Sequence, residues 1–267
     1  MARNETFTNN TDWKPANNWL AFTFYTIIII LTAHALALFP HEYGHSFTAW
    51  LMGWKSNPLA LDYGHLTAAN IIAQIQIDEN VDYDPIFAGG HGWQAAIIAS
   101  AGMIIGNGFI SYPISLWGYY AAKRRGSRRW GLFFYWLCIC SIGNFIDYVP
   151  IRTFASHSDI HTIVKGLACS PWCLIIMPGI AIIMIFIHFY IKLVPGAMVW
   201  LFPKSAARRV IMILLTALAL FGFYGAAVGW VGYGEEAHFM AVICLFILLP
   251  LMTFIGWGET ARLLSRR

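Results

Sequence analysis

Residues 19–50 read WLAFTFYTIIIILTAHALALFPHEYGHSFTAW, an apolar run that ends in a cluster of ionisable side chains. From Trp19 to Phe39 the only Asp, Glu, Lys, Arg or His is His34. A run of about 20 such residues is long enough, as a helix, to cross a hydrocarbon core of about 30 Å. The segment lacks an evident small-residue cleavage site and follows a polar stretch containing Trp13 and Pro15, so it reads as a retained helix and not a signal peptide. At its end stand His41, Glu42 and His45, each costly to place at membrane depth without a partner.

Working outward, five more apolar runs follow, near residues 94–119, 130–150, 172–194, 209–232 and 238–257. Charged residues make up 11% of the chain, against roughly 25% in an average soluble domain, which excludes a soluble globular class. The expected fold is an all-α polytopic membrane protein of about six transmembrane helices. A small β-hairpin or sheet is expected between the first two, because IIAQIQI at residues 71–77 alternates apolar and polar positions. There is no repeat, low-complexity tract or interdomain linker. The chain divides into an N-terminal segment over 1–18, a core over 19–171 and additional helices over 172–267.

Lys and Arg collect in three places: Lys123 to Arg129, Lys204 to Arg209, and Arg262 to Arg267. Alternating helices put all three on one side, and the positive-inside rule makes that side cytoplasmic. Both termini are therefore predicted cytoplasmic and the HEYGH end non-cytoplasmic. The net charge of +4 is accounted for by this bias, so the partner it implies is the lipid bilayer and not nucleic acid. Cys169 and Cys173 fall on the outer side, where they could form a disulfide; Cys138, Cys140 and Cys244 read as small apolar residues.

On a continuing helix, His41 and His45 are four residues apart and share a face. That spacing suits two imidazole nitrogens on one Zn²⁺, with Glu42 beside the ion as general base. Neutral imidazoles leave the ion its charge, which lowers the pKa of a bound water towards about 7. A third protein ligand is needed, and GNFIDYVPIRTFASHSDIHTI at 143–163 arrives at the same membrane level. It offers Asp159 and, as the competing carboxylate, Asp147, which otherwise reads as a helix-end cap or a partner of Arg152; His157 and His161 flank the first.

HEYGH, then ASAGMIIGN at 99–107, then an Asn-Pro-Asp order after a later helix, resembles the site-2 protease family of intramembrane zinc metalloproteases. The resemblance covers about residues 30–165. It implies hydrolysis of peptide bonds in or near transmembrane segments of membrane-protein substrates. It also implies Asp159 as third ligand, with Asn144 and Pro150 in the family's Asn and Pro places and Gly102 and Asn107 in its small-residue segment. The spacings from Asn144 to Pro150 and from Pro150 to Asp159 exceed the family's, no Gly follows Asp159, and Met103 replaces a proline. Asn107 and Asn144 are then candidates to meet the substrate or its oxyanion, and IIAQIQI offers an edge for an unwound substrate.

Two other readings fit the same residues. HEYGH and HSDIH resemble histidine boxes of a membrane di-iron oxygenase, although no His-His pair occurs. A non-catalytic scaffold that assists assembly of a membrane complex is the third.

Overall fold

The computed structural model describes residues 18–155, 157–227 and 233–266. The first apolar run forms α1 (Trp19–Leu51), opened by Asn18, whose Oδ1 accepts the Leu20 N–H at 2.9 Å. The helix continues through Pro40 and through HEYGH, a full three turns beyond the end that hydropathy suggests. Two short helices, α2 (Ala68–Ala73) and α3 (Asp84–Ala88), precede α4 (Gly92–Arg124). Then come α5 (Arg128–Ile151), α6 (Asp159–Leu167), α7 (Pro171–Leu201), α8 (Ala206–Ala227) and α9 (Glu235–Ser265). Six of these, α1, α4, α5, α7, α8 and α9, are long and apolar enough to span a bilayer, as the sequence predicts.

The segment between α1 and α4 corrects the strand expectation. IIAQIQI does not pair as a strand: its first half belongs to α2, because Thr67 Oγ1 caps that helix by accepting the Asn70 N–H. Gln74 then turns left-handed at φ 55°, and Asn70 Oδ1 accepts the Gln76 N–H across the turn. What is left of the hairpin is one isolated antiparallel bridge between Asp62 and Asp78. Lys55 knits the segment together, donating to the carbonyls of Ala60, Glu79 and Asn80 at 2.9, 2.8 and 2.6 Å.

Helix α5 is the hub. Leu132, Tyr135, Trp136, Ile139 and Ile142 are completely buried, packed among α1, α7 and α8. Lipid tails are as apolar as leucine, so such packing rests on close approach and on satisfied polar groups. The Tyr135 hydroxyl meets Thr216 Oγ1 at 2.7 Å, and Gly143 lies so close under the Tyr224 ring that a Cβ there would sit 2.1 Å from it.

Several spanning helices widen locally to i→i+5 bonding. In three cases the last such bond falls one residue before a proline: Tyr112 N to Asn107 O before Pro113, Val194 N to Phe189 O before Pro195, and Leu249 N to Cys244 O before Pro250. A proline ring collides with the carbonyl four residues back, and a wider turn moves that carbonyl aside. The widened stretch of α4, Gly102–Ser111, lies against HEYGH.

The C-terminal ends of α1 and α5, the N-terminal part of α4, and α6 gather at one end of the bundle. The N-terminal segment expected over 1–18 lies, but for Asn18, outside the described residues. Cys169 and Cys173 carry free thiols in the structure, so the disulfide is not formed.

Candidate metal centre

His41 and His45 project from the same face of α1, as their spacing requires, with Nε2 atoms 3.0 Å apart. Asp159 opens α6, where Ser158 Oγ caps the helix by accepting the His161 N–H. The Asp159 carboxylate reaches across to the pair, with Oδ2 3.4 Å from His41 Nε2 and 3.2 Å from His45 Nε2. Among the described residues this is the one group of three His, Cys, Asp or Glu side chains that converges in this way.

The far side of each ring fixes its tautomer. His41 Nδ1 lies 2.6 Å from Asn107 Oδ1, an acceptor, and Asn107 Nδ2 in turn donates to the Ala37 carbonyl at 3.3 Å. His45 Nδ1 lies 2.7 Å from the Ile98 carbonyl. Both imidazoles therefore donate through Nδ1 and turn Nε2 lone pairs towards Asp159. Three lone-pair-bearing atoms this close are stable only about a positive charge, either a bound cation or a proton on an imidazole.

The separations accommodate a cation as well as a shared proton. Ligand atoms about 2.0–2.1 Å from one tetrahedral ion lie about 3.3 Å from each other, which is what the 3.0, 3.2 and 3.4 Å edges approach. Gly102 supplies the room: a Cβ there would stand 2.1 Å from His45 Nε2 and 2.7 Å from His41 Nε2. Gly106 lets the same helix touch α1, since its Cβ would meet the Pro40 carbonyl at 2.2 Å. Two imidazoles, a carboxylate and a space kept open by glycine fit Zn²⁺. Burial by itself would raise the Asp159 carboxyl, but a proton shared by the neighbouring His45 and His41 overrides it and holds that group well below the usual carboxylate range.

Beside the triad lies a cavity of about 470 Å³, whose wall includes His34, His41, Glu42, Asn144, Asp147 and Tyr148. Glu42 is buried, and among the described residues no hydrogen bond engages its carboxylate. The Asn144 amide is likewise unengaged. Asp147 stays outside the triad: Arg152 Nε and Nη2 donate to its two oxygens at 3.1 and 2.8 Å, which makes it a bidentate ion pair and not a ligand. The structure thus brings Asp159 to the histidines and gives Asp147 to Arg152. Asn107 is placed behind His41 with both ends of its amide committed, away from the cavity wall. His157 lines the cavity and stacks on Tyr233, while His34 accepts from Tyr224 at 2.7 Å and donates to Ala73 O, tying α1 to α8 and α2.

Tyr148 and Glu79 escaped the sequence reading. Tyr148 stacks on His41 with ring centroids 4.7 Å apart and lines the cavity, its hydroxyl unengaged among the described residues. The Arg152 guanidinium lies over the Tyr148 ring, 4.9 Å from its centroid, and holds Asp147. Glu79 accepts from the Tyr83 hydroxyl at 2.9 Å; burial raises its carboxyl, with the charge of nearby His45 pulling the other way. Tyr148 adjoins Asp147 in NFIDYVP, and its helical offset from Asn144 is the one signal that could have marked it. No protein-family model, characterised protein or solved structure matches this chain, so its function has to be argued from the geometry of the site.

Proposed function

We propose that the protein is an intramembrane zinc metalloendopeptidase of the site-2 protease type, hydrolysing peptide bonds in or near transmembrane segments of other membrane proteins. The observation that carries this reading is the convergence of His41, His45 and Asp159 beside an unengaged Glu42 at a cavity wall. His41, His45 and Asp159 would hold the ion. When bound, zinc supplies Lewis acidity that activates a water and polarises the scissile carbonyl.

The chain's own groups do the rest. Glu42 takes a proton from the attacking water as the C–O bond forms, and returns it to the leaving amine nitrogen as the C–N bond breaks. The Asn144 amide and the Tyr148 hydroxyl face the cavity as donors for the developing oxyanion. Asn107 holds the His41 ring in its ligating tautomer. In this reading the centre faces the non-cytoplasmic side, both termini are cytoplasmic, and a substrate helix must unwind to enter, because a helical peptide carbonyl is already bonded. The exposed faces of α7 and α9 would serve lipid or membrane-complex partners.

The test compares membranes containing wild type or Glu42→Gln. Fragments of single-pass proteins should appear only with wild type, with the rate falling by about 10³-fold in the variant, while both purified proteins hold one zinc per chain. Identical fragment patterns would assign the protein a scaffold role. Two irons per chain would replace the protease with an oxygenase.

A further inference from the structure

At the end of the bundle opposite the metal centre, two grooves on the outer surface of α7 meet at Ile191 and Lys192. The first, about 460 Å³, is lined by Met184, Ile187, His188, Ile191 and the stem of Lys192, and is apolar but for His188 and the Lys192 ammonium. The second, about 240 Å³, lies between α7 and α9, where Lys192, Arg262 and Arg266 face Glu259. Glu259 pairs with Arg262 at 3.4 Å on the surface, so the notch keeps an excess of positive charge. Lys123 adds to it from α4, its Nζ 4.0 Å from where a Gly196 Cβ would be, one turn beyond Lys192.

Lys192 is the unusual member. It is exposed on a helix whose outer face is isoleucine and methionine, and among the described residues no carboxylate pairs with it. A cation on a lipid-facing surface is costly unless it reaches the headgroup level or meets an anion there. The apolar groove runs from Lys192 back to Met184, about 12 Å along the helix and towards the bilayer centre. A site with cations at its outer end and a trough of hydrocarbon leading inward has the polarity of one phospholipid molecule.

We propose that α7 and α9 form a binding site for an anionic phospholipid, its phosphate held by Lys192, Arg262 and Arg266 and one acyl chain lying along Met184, Ile187 and Ile191. Charge complementarity selects this occupant over a neutral lipid, and the apolar trough adjoining Lys192 selects it over a soluble phosphate.

The full chain, reconstituted in nanodiscs of phosphatidylcholine doped with phosphatidylglycerol and re-extracted, is assayed for retained lipid by native mass spectrometry. Wild type should retain one phosphatidylglycerol in preference to phosphatidylcholine. The Lys192→Gln/Arg262→Gln double variant should retain it about tenfold less well. Ile187→Trp, which fills the trough and leaves the charges intact, should also lower retention, whereas Arg129→Gln, a basic change outside both grooves, should not. An unchanged size-exclusion profile and helix content in each variant establish that the fold is intact. Equal retention by wild type and the double variant, equal retention of the neutral lipid, or a co-purifying membrane helix seated on Ile187 in place of lipid would each overturn the proposal.

Discussion

Helices α5 and α7 are both spanning segments, yet 89% of the apolar window of α5 is buried inside the protein and only 11% of that of α7. The buried helix is the one that carries Ser141, Asn144 and Asp147, while the exposed one reads IIMPGIAIIMIFI. A soluble protein would sort them the other way. In a bilayer isoleucine gains nothing by leaving lipid, so burial goes to polar groups that need partners and to small residues that permit close backbone contact. The difference teaches where chemistry can sit: the candidate metal centre draws its residues from α1, α4, α5 and the short α6, and the two most exposed spanning helices, α7 and α9, stand outside it.

The largest test of that division compares one glycine from each region. Gly102→Ala puts a methyl within 2.1 Å of His45 Nε2, in the space a cation would need. Zinc content should fall to background, a loss of affinity of more than about 100-fold, read by metal analysis of the purified variant. Gly179→Ala in α7 meets nothing within 4 Å, and should leave zinc unchanged and stability within about 0.5 kcal/mol. Equal effects at both positions would break the comparison.

The two carboxylates sharpen it within the buried half. Asp159→Asn removes a ligand charge, and zinc affinity should drop by about 100-fold. Asp147→Asn should keep the zinc and instead lose about 2 kcal/mol of stability, because it strands a partly buried Arg152. Metal titration read against thermal unfolding separates the two outcomes, and zinc lost equally in both variants would return Asp147 to the ligand set.

Much of this was legible in residues 19–50. Six spans, the shared face of His41 and His45, and the arrival of residues 143–163 at the same level all follow from hydropathy and helical period. The choice of Asp159 over Asp147 rested on a resemblance, because both carboxylates arrive at the correct membrane level. What separates them is Arg152, whose five-residue offset from Asp147 becomes a contact only through the widened turn at Asp147–Ile151. IIAQIQI was misread as a strand since alternation counts only side chains, while the local conformation was decided by the Thr67 cap and the Asn70 amide. Ile71, Ile72 and Ile75 are in fact all exposed, so the alternation never marked a buried face. The glycines of ASAGMIIGN were visible as small residues, but that one of them faces two imidazole nitrogens is a property of packing between helices distant in sequence.

Asn107 gives the smallest and most discriminating effect. Its family-like position suggests a substrate contact, whereas its amide is spent on His41 Nδ1 and the Ala37 carbonyl. A substrate-binding residue and a ligand-orienting residue fail differently. If Asn107 orients His41, Asn107→Ala leaves the imidazole free to rotate or to change tautomer, and zinc affinity falls by about tenfold; activity then recovers when zinc is supplied in excess. Asn107→Asp restores an acceptor at the same place and should recover most of the affinity. If Asn107 instead met the substrate, zinc affinity would be unchanged in Asn107→Ala and no excess of metal would restore cleavage. The same logic applied to Asn144, which faces the cavity, predicts the opposite pattern: turnover falls at full zinc occupancy, since a donor aimed at a developing oxyanion contributes nothing to holding the ion.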